Sequence, residues 1–310
     1  MKALALARLT PPGGPRVTRN VEKWAAIGIL LLPALVIYTW MVILPVIRAA
    51  QFSLYSWNGL GPLTEFIGLG NFVAIMRDEV FRVALGNNLF IIALSLLVQL
   101  PLALGLAVLL QSRLAGRAVF RTVYFMPYVI SEVIAAFIFR YIFRPEGGLI
   151  NMVLGTLHIT GPAWLADTHI VMYAVFVTLT WKYFGYHMVL YLAGLQGIPA
   201  ELKEAAKIDG ASSWETFRYV TLPLLAPTIR LTIYLSVIGS LQVFDLVWAM
   251  TRGGPVSASE TMATYMYRAG FIKQQLGYGS ALAIIIFLIC FGFSLVYQHF
   301  AMRRDVEGAY

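Results

Sequence analysis

Six stretches of this chain run for about 20 residues or more with scarcely a charge, the length an α-helix needs to cross a bilayer. They cover residues 24–46, 87–110, 122–143, 170–195, 231–250 and 280–300. Between them the polar positions come in short clusters, and one cluster departs from the rest. From Glu201 onward, Lys203, Glu204, Lys207, Asp209, Glu215 and Arg218 crowd into a single connection. The pattern predicts an all-α polytopic membrane protein of six transmembrane helices carrying one soluble-looking insert.

That insert carries helix punctuation. Pro199 suits a first helical turn, where a missing N–H costs nothing. Glu201 and Lys207 sit at the ends that the helix dipole favours. Gly210 reads as a left-handed C-terminal cap, and Ser212-x-x-Glu215 as a capping box opening a second helix, which Pro223 interrupts. Leu202, Ala205, Ala206 and Asp209 fall on one face of the first helix. The charges of the insert nearly balance, whereas a membrane-surface anchor is basic. It therefore reads as a protein-docking element.

Composition agrees: 59% of the 310 residues are hydrophobic and 12% charged, against about 25% charged in soluble domains. The first span is too long for a signal-peptide core and no small-residue cleavage site follows it. The net charge of +8 reflects topology more than nucleic-acid binding. Lys and Arg favour cytoplasmic loops. One side collects Lys2, Arg8, Arg16, Arg19, Lys23, Arg113, Arg117, Arg121, Lys203, Lys207, Arg218, Arg303 and Arg304. The other holds only Arg48, Arg77, Arg82, Arg144, Arg252, Arg268 and Lys273. Both termini, as tails at 1–23 and 301–310, are expected in the cytoplasm around a permease domain at 24–300. The first 20 residues read as disordered, and 72–85 as one helix along the membrane surface.

Several chemistries are excluded. Cys290 is the lone cysteine and lies within the sixth stretch, so no disulfide or thiolate metal site is expected. No Gly is followed by Lys, so the chain lacks a P-loop. No nucleophile–base pair and no spaced His ligands stand out, so catalytic residues, cofactors and metals are expected to be none.

Charges inside spans are functional candidates by default: Glu132, Lys182 and Asp245, with Arg140 discounted because it can snorkel. Glu132 and Lys182 read either as a structural ion pair or as the lining of a cargo path. Tyr128 shares a face with Glu132, and Trp181, Tyr183, Tyr186 and His187 surround Lys182 with polar-tipped aromatics, a surface that suits sugars. Ser236, Ser240, Phe244 and Trp248 form a stripe on the fifth span, with Gln242 and Asp245 nearby. Small residues there are equally ordinary packing positions.

The residues Glu204-Ala205-Ala206, Asp209-Gly210-Ala211 and Leu222-Pro223, preceded by Ala193–Pro199 (AGLQGIP), resemble the "EAA" loop of binding-protein-dependent ABC importer permeases. Ser53–Gly59 (SLYSWNG), Gly68–Phe72 (GLGNF), Val123–Ser131 (VYFMPYVIS) and Thr251–Pro255 (TRGGP) resemble its carbohydrate branch, the relatives of the maltose-type first permease subunit. The resemblance spans about residues 25–305. It implies that loop 198–222 is a coupling helix seated on an ATPase subunit, with Glu204, Ala205, Ala206, Asp209 and Gly210 at the joint. It implies a sugar held at Tyr128, Glu132, Tyr186, Ser236 and Ser240. Lys182 and Tyr183 stand where that family has small or apolar residues and join the substrate-binding candidates. The implied partners are a second permease subunit, two ABC ATPase copies that bind ATP and Mg, and a periplasmic or lipid-anchored sugar-binding protein, in the bacterial cytoplasmic (inner) membrane. The alternative from another class is an ion-coupled secondary transporter using Glu132 or Asp245; the chain shows no internal repeat of the kind that marks many of these.

Overall fold

The computed structural model describes residues 16–111 and 116–302. The expected tails therefore lie largely outside the described residues, as does Arg113. The chain divides into two units, Met1–Gln51 and Phe52–Tyr310. In the first, α1 (Arg16–Tyr38) already begins within the stretch expected to be disordered, then passes through a π-helical turn, Thr39–Ile43, into Leu44–Phe52.

The second unit is all helix apart from one isolated bridge, Tyr55 to Phe66, among the described residues. Its main elements are α2 (Glu79–Leu94, continuing through a π turn to Leu100–Gln111), α3 (Arg117–Val129), α4 (Glu132–Ile142), α5 (Val171–Gln196), α6 (Ala200–Ile208), α7 (Ala226–Gln242), α8 (Asp245–Thr251) and α9 (Leu276–Tyr297). By length and apolarity, Ile27–Phe52, Glu79–Gln111 and Leu276–Ala301 qualify as spans. Arg117–Val129 with Glu132–Ile142 (bent 98°) and Ser213–Leu224 with Ala226–Gln242 (bent 67°) qualify as broken spans. Helix α5 is long enough, about 39 Å at 1.5 Å per residue, but more polar, and its polar side chains turn inward: Thr178, Lys182 and His187 are all buried.

Three π turns obey one rule. Thr39–Ile43, Ser95–Gln99 and Phe217–Thr221 each end two residues before a proline: Pro45, Pro101 and Pro223. A proline ring clashes with the carbonyl four residues back and has no N–H to offer it. That carbonyl, of Met41, Leu97 or Tyr219, lies inside the π turn, where the widened backbone accommodates it. Pro223 therefore does not stop its helix, contrary to expectation; the bend comes after it, at Leu225.

Two expected spans are not continuous. The stretch 122–143 breaks at the extended residues Ile130 and Ser131, and 231–250 breaks at Val243 and Phe244. The expected surface helix at 72–85 is likewise two pieces, because Asp78 ends Gly70–Arg77 and caps α2, accepting from Val80 N at 2.8 Å.

Small residues and polar bonds tie these pieces together. At Gly185 a Cβ would fall onto the carbonyl oxygen of Tyr124, so only glycine lets α5 and α3 approach this closely. Helix α2 is bound to the segment after α8 by two asparagines. Asn87 Nδ2 donates to the carbonyls of Ala258 and Glu260, both at 2.8 Å, and Asn88 Oδ1 accepts from Met262 N at 2.9 Å. Beside them Glu260, fully buried, pairs with Arg268 at 2.9 Å.

Candidate functional site

The two breaks face each other across a cavity of about 330 Å³, within the usual range for small-molecule sites. At each break side chains from elsewhere bond to backbone groups that the helices leave open. At the end of α3, Lys182 Nζ donates to the carbonyls of Ile130 (2.5 Å), Tyr128 (3.3 Å) and Pro127 (3.5 Å). These are the orphan acceptors that a helix C-terminus presents and a cation suits. At the second break Thr261 Oγ1 donates to Val243 O at 2.9 Å, and Leu246 N donates to Glu132 Oε2 at 3.2 Å. The other oxygen of Glu132 accepts from the Tyr183 hydroxyl. One carboxylate thus links α4, α5 and α8.

Of the seven substrate-binding candidates, Tyr128, Glu132, Tyr183, Tyr186, Ser236 and Ser240 line this cavity together. Tyr128 stacks on Tyr186 with ring centroids 4.6 Å apart and meets Tyr183 edge-on at 6.0 Å. The exception is Lys182. It is 3% exposed, is not part of the lining, and makes no direct ion pair with Glu132. The ion-pair expectation fails because three carbonyls at the helix break take all three donors of the ammonium group. Its charge instead lies 5.5 and 5.9 Å from the ring centres of Tyr183 and Tyr128.

Ser95 and Gln99, which the sequence reading did not select, also line the cavity, as do His187, Gln242 and Asp245, which it named only as neighbours or as a charge within a span. Ser95 and Gln99 occupy the first and last positions of a π turn. Their signal in the sequence is two polar residues inside an apolar span just ahead of Pro101. His187 is 4% exposed and its Nδ1 has no hydrogen-bond partner.

The charged insert lies at the far end of α5. Helix α6 runs Ala200–Ile208 and closes as expected. Gly210 takes φ +88°, Ala211 N donates to Ala206 O at 2.9 Å and Gly210 N to Lys207 O at 3.1 Å, the paired bonds of a Schellman cap. The capping box is complete: Ser212 N donates to Glu215 Oε2 at 2.8 Å, and Glu215 N to Ser212 Oγ at 3.3 Å. The bonds from Ser212, side chain first and backbone second, hold the Glu215 carboxyl below its ordinary value. Glu204, Ala205 and Asp209 are exposed and Ala206 is half-buried. Large apolar side chains stand out beside them, Ile208 at 86% and Trp214 at 65% exposure.

Residues 99–306 match the family described as binding-protein-dependent transport system inner membrane component. A probable ABC transporter permease of Pyrococcus horikoshii is 35% identical over 89% of this chain and 96% of its own length. A lactose transport system permease of Rhizobium radiobacter is 33% identical over 92% and 95%. Among solved structures, a bacterial ABC transporter involved in the import of the acidic polysaccharide alginate contains a chain of the same fold. Its TM-score is 0.82 at 24% identity, over 93% of this chain and 99% of that one. The chain belongs to the family of binding-protein-dependent ABC transporter permeases, which sets aside the self-sufficient ion-coupled alternative.

Proposed function

We propose that this permease forms half of the translocation pathway of an ATP-driven sugar importer in the bacterial cytoplasmic membrane. Di- or oligosaccharides are the best-fitting cargo. Six spans place both termini in the cytoplasm. A second permease of similar fold completes the path, two ATPase copies that bind ATP and Mg drive it, and a periplasmic or lipid-anchored binding protein delivers the sugar. The chain itself performs no covalent chemistry.

The observation that carries the reading is the cavity. Stacked tyrosines give flat apolar area with a hydrogen-bonding edge. Around them Ser236, Ser240, Gln99 and Glu132 offer both donors and acceptors, the complement of a ring with hydroxyls on its rim. In this reading Tyr128, Glu132, Tyr183, Tyr186, Ser236 and Ser240 hold the sugar, while Lys182 holds the backbone that presents two of them. The lactose system permease among its relatives supports the cargo class. Loop 198–222 seats on an ATPase through Glu204, Ala205, Ala206, Asp209 and Gly210. Its rigid caps suit a part that must transmit force, and its exposed Ile208 and Trp214 suit a protein partner better than water.

The test is ATPase activity and sugar uptake of the reconstituted complex, wild type against Glu204→Ala and Glu132→Ala. Glu204→Ala should abolish binding-protein-stimulated hydrolysis. Glu132→Ala should keep stimulation and lose uptake. Uptake that follows a proton gradient and ignores Glu204→Ala overturns the reading.

A further inference from the structure

We infer that the cavity selects against negatively charged sugars, with Asp245 as the specificity-determining residue. The inference rests on the sugar-importer reading above and narrows its substrate class.

Charge in the lining is one-sided. The lining holds two carboxylates, Glu132 and Asp245, one imidazole, His187, and no lysine or arginine. The cation behind the rings of Tyr128 and Tyr183, Lys182, is withdrawn: its three donors go to three backbone carbonyls, which leaves none for a cargo carboxylate or phosphate. The imidazole offers little to cargo, because His187 is only 4% exposed.

The two carboxylates differ. Glu132 is satisfied by the Tyr183 hydroxyl and Leu246 N. It also occupies the first turn of α4, so the helix N-terminus that elsewhere in transporters receives an anionic substrate group is already served from within. Asp245 is exposed to the cavity and accepts no hydrogen bond among the described residues. An anionic sugar would meet that charge at short range beside aromatic rings, and direct like-charge contact is costly. A neutral sugar meets instead a free acceptor for its hydroxyls. A transporter involved in the import of the acidic polysaccharide alginate contains a chain of this fold, so the fold by itself does not account for a preference for neutral sugars.

The experiment is isothermal titration of the assembled complex in lipid nanodiscs, without binding protein, against matched neutral and acid forms. Suitable pairs are glucose and glucuronate, and galactose and galacturonate, which keep the pyranose ring and differ at C6 alone. The wild type should bind the neutral member of a pair at least about tenfold more tightly than the acid. Asp245→Asn and, as a second variant, Asp245→Ser should shrink that ratio to about threefold or less. Acid and neutral forms binding wild type equally overturn the inference alone. So does a ratio that survives both substitutions. A wild-type complex that assembles and hydrolyses ATP but binds no sugar of either form overturns the sugar reading and the inference with it.

Discussion

Lys182 and Ile130 are joined across a break in a membrane span: the ammonium nitrogen sits 2.5 Å from the Ile130 carbonyl oxygen, with the carbonyls of Tyr128 and Pro127 at 3.3 and 3.5 Å. A half-helix that ends inside the bundle leaves acceptors with no water to satisfy them, and each unsatisfied group is expensive there. A buried cation bonded to them offsets its own desolvation and theirs together. Lys182→Met keeps the stem and removes the donors. It should cost about 3 kcal/mol or more, since several buried acceptors lose a charged partner. Lys182→Arg should not restore it, because a planar fork cannot converge on three carbonyls around one point. Thermal unfolding of the purified complex reads both, and a Met variant as stable as wild type would remove the lysine's role as a pin.

What the sequence revealed and what it hid divide along one physical line. The caps of α6 and the following turn were legible because they are local: Gly210, Ser212 and Glu215 bond to residues within five positions. That six of the seven candidates gather around one cavity was foreshadowed because polar aromatics and hydroxyls inside an apolar run have few uses. The breaks at Ile130 and Val243 were not, because what stabilises them comes from far along the chain, Lys182 for one and Thr261 and Glu132 for the other. Glu260 was invisible for the same reason. In a loop it reads as a surface charge, yet it is fully buried against Arg268.

Gly185 should be intolerant of any side chain. A Cβ there overlaps the Tyr124 carbonyl oxygen and lies 3.2 Å from the Phe125 Cα. Both are backbone atoms and cannot swing away, so α3 would have to move, and Lys182 and Tyr186 on either side would lose their partners. Gly185→Ala should destabilise by about 3 kcal/mol, at the upper end of overpacking costs. Gly105→Ala, with nothing within 4 Å, should be close to neutral. Comparing melting midpoints and folded yield of the two variants decides it; equal behaviour would mean that the helices are not held at this distance.

Asp78 sets an acid limit on the loop-rich end opposite α6. Burial alone pushes its carboxyl up. The hydroxyls of Tyr265 and Tyr278 and the N–H groups of Val80 and Phe81 more than offset this and hold it below its ordinary value of 3.8. A carboxylate with a lowered folded-state value contributes stability that is fully present above its unfolded value and disappears as pH falls through the folded one. The difference in melting midpoint between wild type and Asp78→Asn should therefore be constant near neutrality and shrink below about pH 4. A difference that grows on acidification would show that the carboxyl is held protonated instead.

The π turn ahead of Pro101 makes a prediction that links sequence to cargo. Pro101 displaces the Leu97 carbonyl, the turn at Ser95–Gln99 widens, and the register of α2 shifts by one residue, about 100° of helix rotation. Ile91, Ser95 and Gln99, spaced four residues apart, share the cavity wall, and the π turn sets the angle between Ser95 and Gln99 along it. Pro101→Ala returns the missing N–H and removes the clash, so the segment should relax toward a regular α-helix and rotate Gln99 relative to Ser95 along the wall. The expected result is a stable protein, no less helical than wild type, whose half-saturating sugar concentration rises about tenfold while maximal ATPase stimulation is kept. Ser95→Ala and Gln99→Ala, which leave the π turn in place, should each reproduce only part of that rise, because each removes one hydrogen-bonding group from a site that retains the other. If Pro101→Ala leaves sugar affinity unchanged while Gln99→Ala weakens it, the π turn does not position Gln99 and the proline is only tolerated there.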